Sequence, residues 1–153
     1  MAGSSEQASA QAAATAGSGA GWGAIAGSFQ QADAQLVGIN GQQTDLQRAI
    51  VAGELWMDKD VAERAASRCD QAIAEINESL RGAHRLTWTR KFGANEDGIA
   101  ASERFARAGR EYITMMKRAR TVIENMAATY RAAGRAAAEA DEAGQQSFRG
   151  GLA

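Results

Sequence analysis

The stretch IAASERFARAGREYITMMKRARTVIENMAATYRAAGRAAAEA, Ile99 to Ala140, decides how the rest of the chain folds. Apolar or small residues recur in it at Phe105, Ala108, Tyr112, Met115, Ala119, Val122, Met126, Thr129, Ala133 and Ala136. Their spacing alternates between three and four residues, the repeat of a coiled-coil seam. Gly109, Met116, Ile123, Tyr130 and Ala137 flank the seam and widen the stripe. A helix of about 40 residues rising ~1.5 Å per residue is ~60 Å long, more than a small globular domain is wide. Such a helix needs a partner along its length.

The nearest partner lies just upstream. Asp58 to Arg81 reads as a second amphipathic helix, with Val61, Ala65, Cys69, Ala72, Ile73, Ile76 and Leu80 on one stripe. Asp60-Val-Ala-Glu63 has capping-box spacing, with acids near the positive end of the helix dipole. Trp56 and Met57 are placed to staple the entry, and Gly82 is a natural C′ residue. Residues 83–98 then connect the two helices. This connection is long for a plain helix–helix turn and carries Leu86, Trp88 and Phe92. Those three side chains either cap the end of a hairpin core or form a tip that binds a partner, since tryptophan and phenylalanine are strong interface anchors. The expected fold is all-α: an antiparallel two-helix hairpin over residues 55–140. A lone hairpin buries little, so dimerisation into a helical bundle is expected with it.

The ends read differently. Residues 1–54 are rich in Ala, Gly, Ser and Gln, and such a segment buries too little apolar area to offset its ordering entropy. We expect a mostly disordered arm with two short helices in it. Ser28 to Ile39 has Ser28 as N-cap, with Phe29, Ala32, Leu36 and Val37 on one face. Thr44 to Ala52 has Thr44 as cap, with Leu46, Ala49 and Ile50 on its face. Gly38 and Asn40-Gly41 are expected to separate them. Residues 141–153 read as a flexible tail. Gly21-Trp-Gly23-Ala-Ile-Ala26 fits a dinucleotide fingerprint formally, but no strand pattern precedes it.

Composition agrees with helices. There is no proline, and roughly a quarter of the 153 residues are alanine. Few aromatics mean a thin core. The formal net charge of −1 is unevenly spread. Residues 58–80 are net −3 and residues 81–135 net +7, which favours an acidic helix beside a basic one. Cys69 is alone, so no internal disulfide forms. No apolar run approaches the ~20 residues of a membrane span. The first basic residue is Arg48 and no compact apolar segment follows the start, which argues against a Sec-type signal peptide.

Catalytic chemistry is not expected. Cys69 falls on a predicted buried stripe and reads as a core residue. His84 is the only histidine and has no nucleophile elbow near it. One His and one Cys make no zinc cluster. Neighbouring acids such as Asp141 and Glu142 read as solvated. We therefore expect a non-enzyme with no cofactor and no metal.

Three stretches carry a family resemblance: Leu55-Trp-Met-Asp-Lys-Asp-Val61 opening the first helix, Phe92-Gly93 with Asp97-Gly98 before the second, and Phe105-Ala106 through Val122-Ile-Glu-Asn-Met126-Ala-Ala-Thr-Tyr130-Arg-Ala-Ala-Gly134. Over residues 55–138 the pattern resembles the WXG-type (early secreted antigen) helical hairpins of type VII secretion systems, above all the larger actinobacterial ones. The resemblance implies pairing as homo- or heterodimers into four-helix bundles. It also implies export by a non-Sec route, guided by a tyrosine followed four residues later by an acid. Here Tyr130 is followed by Gly134, and the next acid is Glu139. The Trp-x-Gly turn is likewise altered, since Arg90 stands two residues after Trp88. A chain of this type would travel with a partner that supplies the signal, or stay inside the cell as an adaptor.

The leading expectation is thus a helical-hairpin interaction protein, a type VII secretion-associated substrate or the adaptor of a neighbouring effector. Val61, Cys69, Ile73, Ile76, Tyr112, Met115, Val122 and Met126 would close the hairpin. Trp88, Phe92, Met116, Ile123 and Tyr130 would meet the protein partner, a second copy or a related hairpin. Two alternatives use the same features. One is a cytoplasmic structural coiled coil. The other is a nucleic-acid-associated helix using Arg104, Arg107, Arg110, Lys117, Arg118 and Arg120, against which the acidic first helix and tail argue.

Overall fold

Without proline, helices end only where capping chemistry or glycine turns them. The computed structural model describes residues 19–151. Among these it holds three helices, α1 (Gly19–Val51), α2 (Lys59–Ala83) and α3 (Glu96–Gly150), with a short 3₁₀ turn at His84–Thr87 and no strand. The expected disorder of residues 1–18 lies outside the described part. The chain divides into two compact units. One takes α1 up to Ala34 together with Ala83–Met115, and the other takes Gln35–Gly82 with Met116 onward.

Several expected boundaries are corrected. Residues 19–51 form one continuous helix, not two short ones. Ser28 and Thr44 are not caps: Ser28 Oγ donates to the Ile25 carbonyl at 2.7 Å and Thr44 Oγ1 to the Asn40 carbonyl at 3.1 Å. Both hydroxyls thus bond back onto the preceding turn, as mid-helix Ser and Thr do. The α2 cap is Asp58, whose Oδ1 accepts from the Asp60 and Val61 amides at 2.9 and 3.1 Å. Asp60 and Glu63 therefore lie inside the helix, and Gly82 sits in its last turn. Asn95 caps α3, its Oδ1 accepting from the Gly98 amide at 3.0 Å. Helix α3 continues to Gly150, through most of the expected tail.

In the second unit, α2 and α3 meet over small residues. Ala66, Cys69 and Ala127 form the buried centre, with Ile123, Met126 and Tyr130 packed against it. Ala62, Ala133 and Ala137 are also buried, and among the described residues no large side chain is fully buried. A Cβ on Gly134 would stand 2.8 Å from the Ala62 Cβ, so the two backbones approach closely there. Val61, expected at the seam, is 43% exposed: the buried stripe of α2 starts one residue later, through Ala62 and Ala66, and then takes in Cys69 as expected. Arg131 on α3 holds Asp70 at 2.6 Å and Glu63 at 3.4 Å on α2, and Arg120 donates to Asn77 Oδ1 at 3.1 Å. The charge asymmetry of the sequence is expressed in these Arg131 pairs.

The part of α1 in this unit meets α3 through polar groups. Asn125 Nδ2 donates to Asn40 Oδ1 at 3.0 Å, Gln43 Nε2 to the Val122 carbonyl at 3.1 Å, and Gln47 Nε2 to Thr129 Oγ1 at 3.1 Å. Gln43 and Thr129 are buried. Helix α3 thus serves two neighbours with two adjacent stripes. Ile123, Ala127, Tyr130 and Gly134 face α2, while Val122 and Thr129 meet α1. This is why a single 3–4 repeat in the sequence does not resolve into a single hairpin seam.

Candidate partner-binding site

The return between α2 and α3 lies within the first unit and is shaped by a few backbone requirements. Trp88 is extended (φ −77°, ψ 135°), which ends the 3₁₀ turn. Gly93 has φ +123°, a region that L side chains avoid. Gly98 is buried, and a Cβ there would lie 2.9 Å from the carbonyl oxygens of both Phe92 and Gly93. Gly109 is buried as well, and a Cβ on it would run into the Leu86 carbonyl, so the connection lies directly on α3.

This close approach leaves a groove of about 480 Å³ beside it, lined by Leu86, Trp88, Arg90, Phe92, Phe105, Ala108, Gly109 and Tyr112. The Phe92 and Phe105 rings stack with centroids 5.1 Å apart and planes 24° apart. Even so, Trp88 remains 65% exposed and Phe92 and Phe105 each 48%. Residues 82–95 carry Arg85, Arg90 and Lys91 and no acid. The groove is therefore an open aromatic surface with one cation, Arg90, in its lining, suited to apolar groups flanked by negative charge.

The five residues expected to meet a partner fall in both units. Trp88 and Phe92 line this groove. Met116 is half-buried in the second unit, where Ile123 and Tyr130 pack against the Ala66–Cys69–Ala127 centre. Ile123 and Tyr130 thus serve the internal α2–α3 contact. Phe105 and Tyr112, placed by the sequence in the hairpin seam, line the groove instead. Their signal was present in the Phe105, Ala108, Tyr112 spacing, but nothing in it distinguished an inward stripe from one facing the connection.

Elsewhere the ionisable groups have structural surroundings. Burial pushes the Cys69 thiol above its ordinary range, the Asp70 charge adds to this, and Arg131 opposes it. Hydrogen bonds to Asp70 and then Glu63 hold Arg131 firmly protonated. Of the basic residues expected to meet nucleic acid, Arg120 is half-buried and bonded to Asn77. Among the described residues, no group of three His, Cys, Asp or Glu is placed to hold a metal ion. No described helix is long and apolar enough to cross a membrane. Set against protein families, curated proteins and solved structures, the chain shows no match.

Proposed function

We propose that this chain is a non-enzymatic helical interaction protein that binds a protein partner side by side, as a substrate of a type VII secretion system or the adaptor of a secreted effector. The observation that carries the reading is the open aromatic groove. No large side chain is fully buried among the described residues, yet Trp88 is left 65% exposed beside the stacked Phe92 and Phe105. Such rigid aromatics, once covered, are typical anchors of protein interfaces. In this reading α2 and α3 are the antiparallel hairpin, and the partner completes a helical bundle.

Gly134 bears on the route. An acid at this position would complete the tyrosine-based signal implied by the family resemblance. The site is filled instead by a glycine against Ala62, where a longer side chain does not fit without moving α2. The chain then depends on a partner for export, which favours the co-exported or adaptor role.

The test is targeted mass spectrometry of the chain in culture filtrate and lysate, in strains with and without a working type VII motor. Motor-dependent appearance in the filtrate is the expected result for cargo. A motor-independent retention in the lysate, with the chain bound to no secreted protein, would overturn the secretion assignment and leave an intracellular coiled coil.

A further inference from the structure

Trp56, like Trp88, is a tryptophan left open, at 68% exposure. It stands in Glu54-Leu-Trp-Met-Asp-Lys-Asp60, which carries three acids and one lysine. The segment is held in place at both ends. The Glu54 and Leu55 amides donate to the Ala49 carbonyl at 2.9 and 3.2 Å, the Met57 amide donates to the Ala133 carbonyl at 3.4 Å, and Asp58 caps α2. Gly53, at φ +73°, makes the turn that aims it. The tryptophan is therefore presented on a fixed backbone, and little ordering entropy would be lost on docking it.

The groove in the first unit has the opposite character. Its aromatic floor lies beside Arg90, and the charged residues between the end of α2 and the start of α3 at Glu96 are basic. We infer that the groove of one copy receives the Glu54–Asp60 segment of a second copy, with Trp56 inserted beside Trp88 and Phe92 and the acids facing Arg90 and its neighbours. This rests on the reading of the groove as a protein-binding surface and names its occupant. The two elements match in chemistry: each has what the other lacks. A nucleic acid strand fits less well, because Arg90 is the single cation in a lining that is otherwise apolar or aromatic. The exposed parts of these aromatics sum to on the order of 500 Å², since each aromatic side chain offers about 150–250 Å² in all. That places the contact in the weak, reversible class, below the ~1,200 Å² of stable complexes.

The experiment is sedimentation equilibrium of the full chain through the micromolar range at low salt. The wild type should rise from 16.1 kDa toward twice that mass with concentration. Trp56→Ala should weaken the association about 30-fold, as loss of a central aromatic anchor does. Arg90→Glu should weaken it about tenfold and make it less sensitive to salt. An equimolar mixture of the two variants should associate more strongly than either alone, because the intact groove of one meets the intact anchor of the other. Circular dichroism of each variant checks that both exposed substitutions leave the helices formed. The proposal is overturned if the wild type stays at 16.1 kDa, if Trp56→Ala associates as well as the wild type, or if mixing restores nothing. It is overturned equally if the groove takes a single-stranded oligonucleotide, lost in Arg90→Glu, while the wild type stays monomeric. A monomeric chain that still reaches the filtrate with the motor would refute the self-docking alone. A self-associating chain confined to the lysate would refute the secretion assignment alone.

Discussion

One substitution made at two positions should move stability in opposite directions. Gly41 lies in the interior of α1, and a Cβ added there would meet nothing within 4 Å. Gly41→Ala should therefore stabilise by about 0.8–1 kcal/mol, the helix propensity difference between the two residues. Gly134 lies in the interior of α3, so the same propensity gain applies. Its added Cβ, however, would stand 2.8 Å from the Ala62 Cβ and 3.5 Å from the Lys59 Cα. Carbon atoms rest about 3.5–4.0 Å apart, so the Ala62 contact is roughly 1 Å too short. Relief must come from backbone movement, because Ala62 has no flexible end to turn aside. Overpacking of this kind costs about 1–3 kcal/mol, which offsets or exceeds the propensity gain. The two variants should thus differ by about 2 kcal/mol, with Gly41→Ala above the wild type and Gly134→Ala at or below it. Urea unfolding followed at 222 nm, at low protein concentration, measures both. A loss of stability in Gly41→Ala would mean that the chain does break at the glycines, as its sequence suggests. A gain in Gly134→Ala would mean that α2 and α3 do not approach there.

Three further outcomes follow from the same contacts. Gln43→Met should stabilise by about 0.5–1 kcal/mol in urea unfolding, because it removes the buried Gln43 Oε1 that lacks a partner and keeps the side chain's length; a loss would mean that the Val122 contact holds α1 in place. Asp58→Ala should cost about 1 kcal/mol and fray the start of α2, read as faster amide exchange at Asp60 and Val61. The Cys69 thiol binds its proton more tightly folded than unfolded, so its contribution to stability is complete below the ordinary value of 9.0 and is lost as pH rises through the higher folded value; Cys69→Ala should lose less stability than the wild type above about pH 9, and equal losses would place the thiol in solvent.

The fold class and the helices α2 and α3 were legible because proline is absent and the 3–4 repeat is unbroken from Phe105 to Ala136. What escaped the sequence was mostly carried by small and polar residues. Gly38 and Gly41 read as a break, yet each costs only about 1 kcal/mol in a helix, which cross-helix contacts such as Asn40–Asn125 and Gln47–Thr129 help to offset. The first turns of the α2 stripe were set one residue early, while Cys69 was placed correctly, because Val61 is more apolar than Ala62. Close backbone approach selects the smaller residue, and hydrophobicity alone points to the larger. The groove was half legible. Trp88 and Phe92 stood out as aromatics in a connection, but Phe105 and Tyr112 share their repeat with the true core.

That division of labour between small and large side chains bears on function. In the second unit the centre of the α2–α3 contact is built on alanine, cysteine and glycine, with larger groups such as Ile123 and Tyr130 packed around them. Close seams of this kind gain from van der Waals contact but remove little apolar area per residue. The large aromatic groups are spent elsewhere: Trp56 is 68% and Trp88 65% exposed. A sequence selected for stability as a monomer would bury its few aromatics first, since each contributes more on burial than two or three alanines. In the proposed reading, leaving them at the surface, on backbone fixed by Asp58, Gly53 and Gly93, reserves that stabilisation for the partner contact. The same reasoning sets the order of experiments. Covering Trp56 and Trp88 should raise the stability of the chain, so unfolding measured against protein concentration reports the partner contact before any partner is identified.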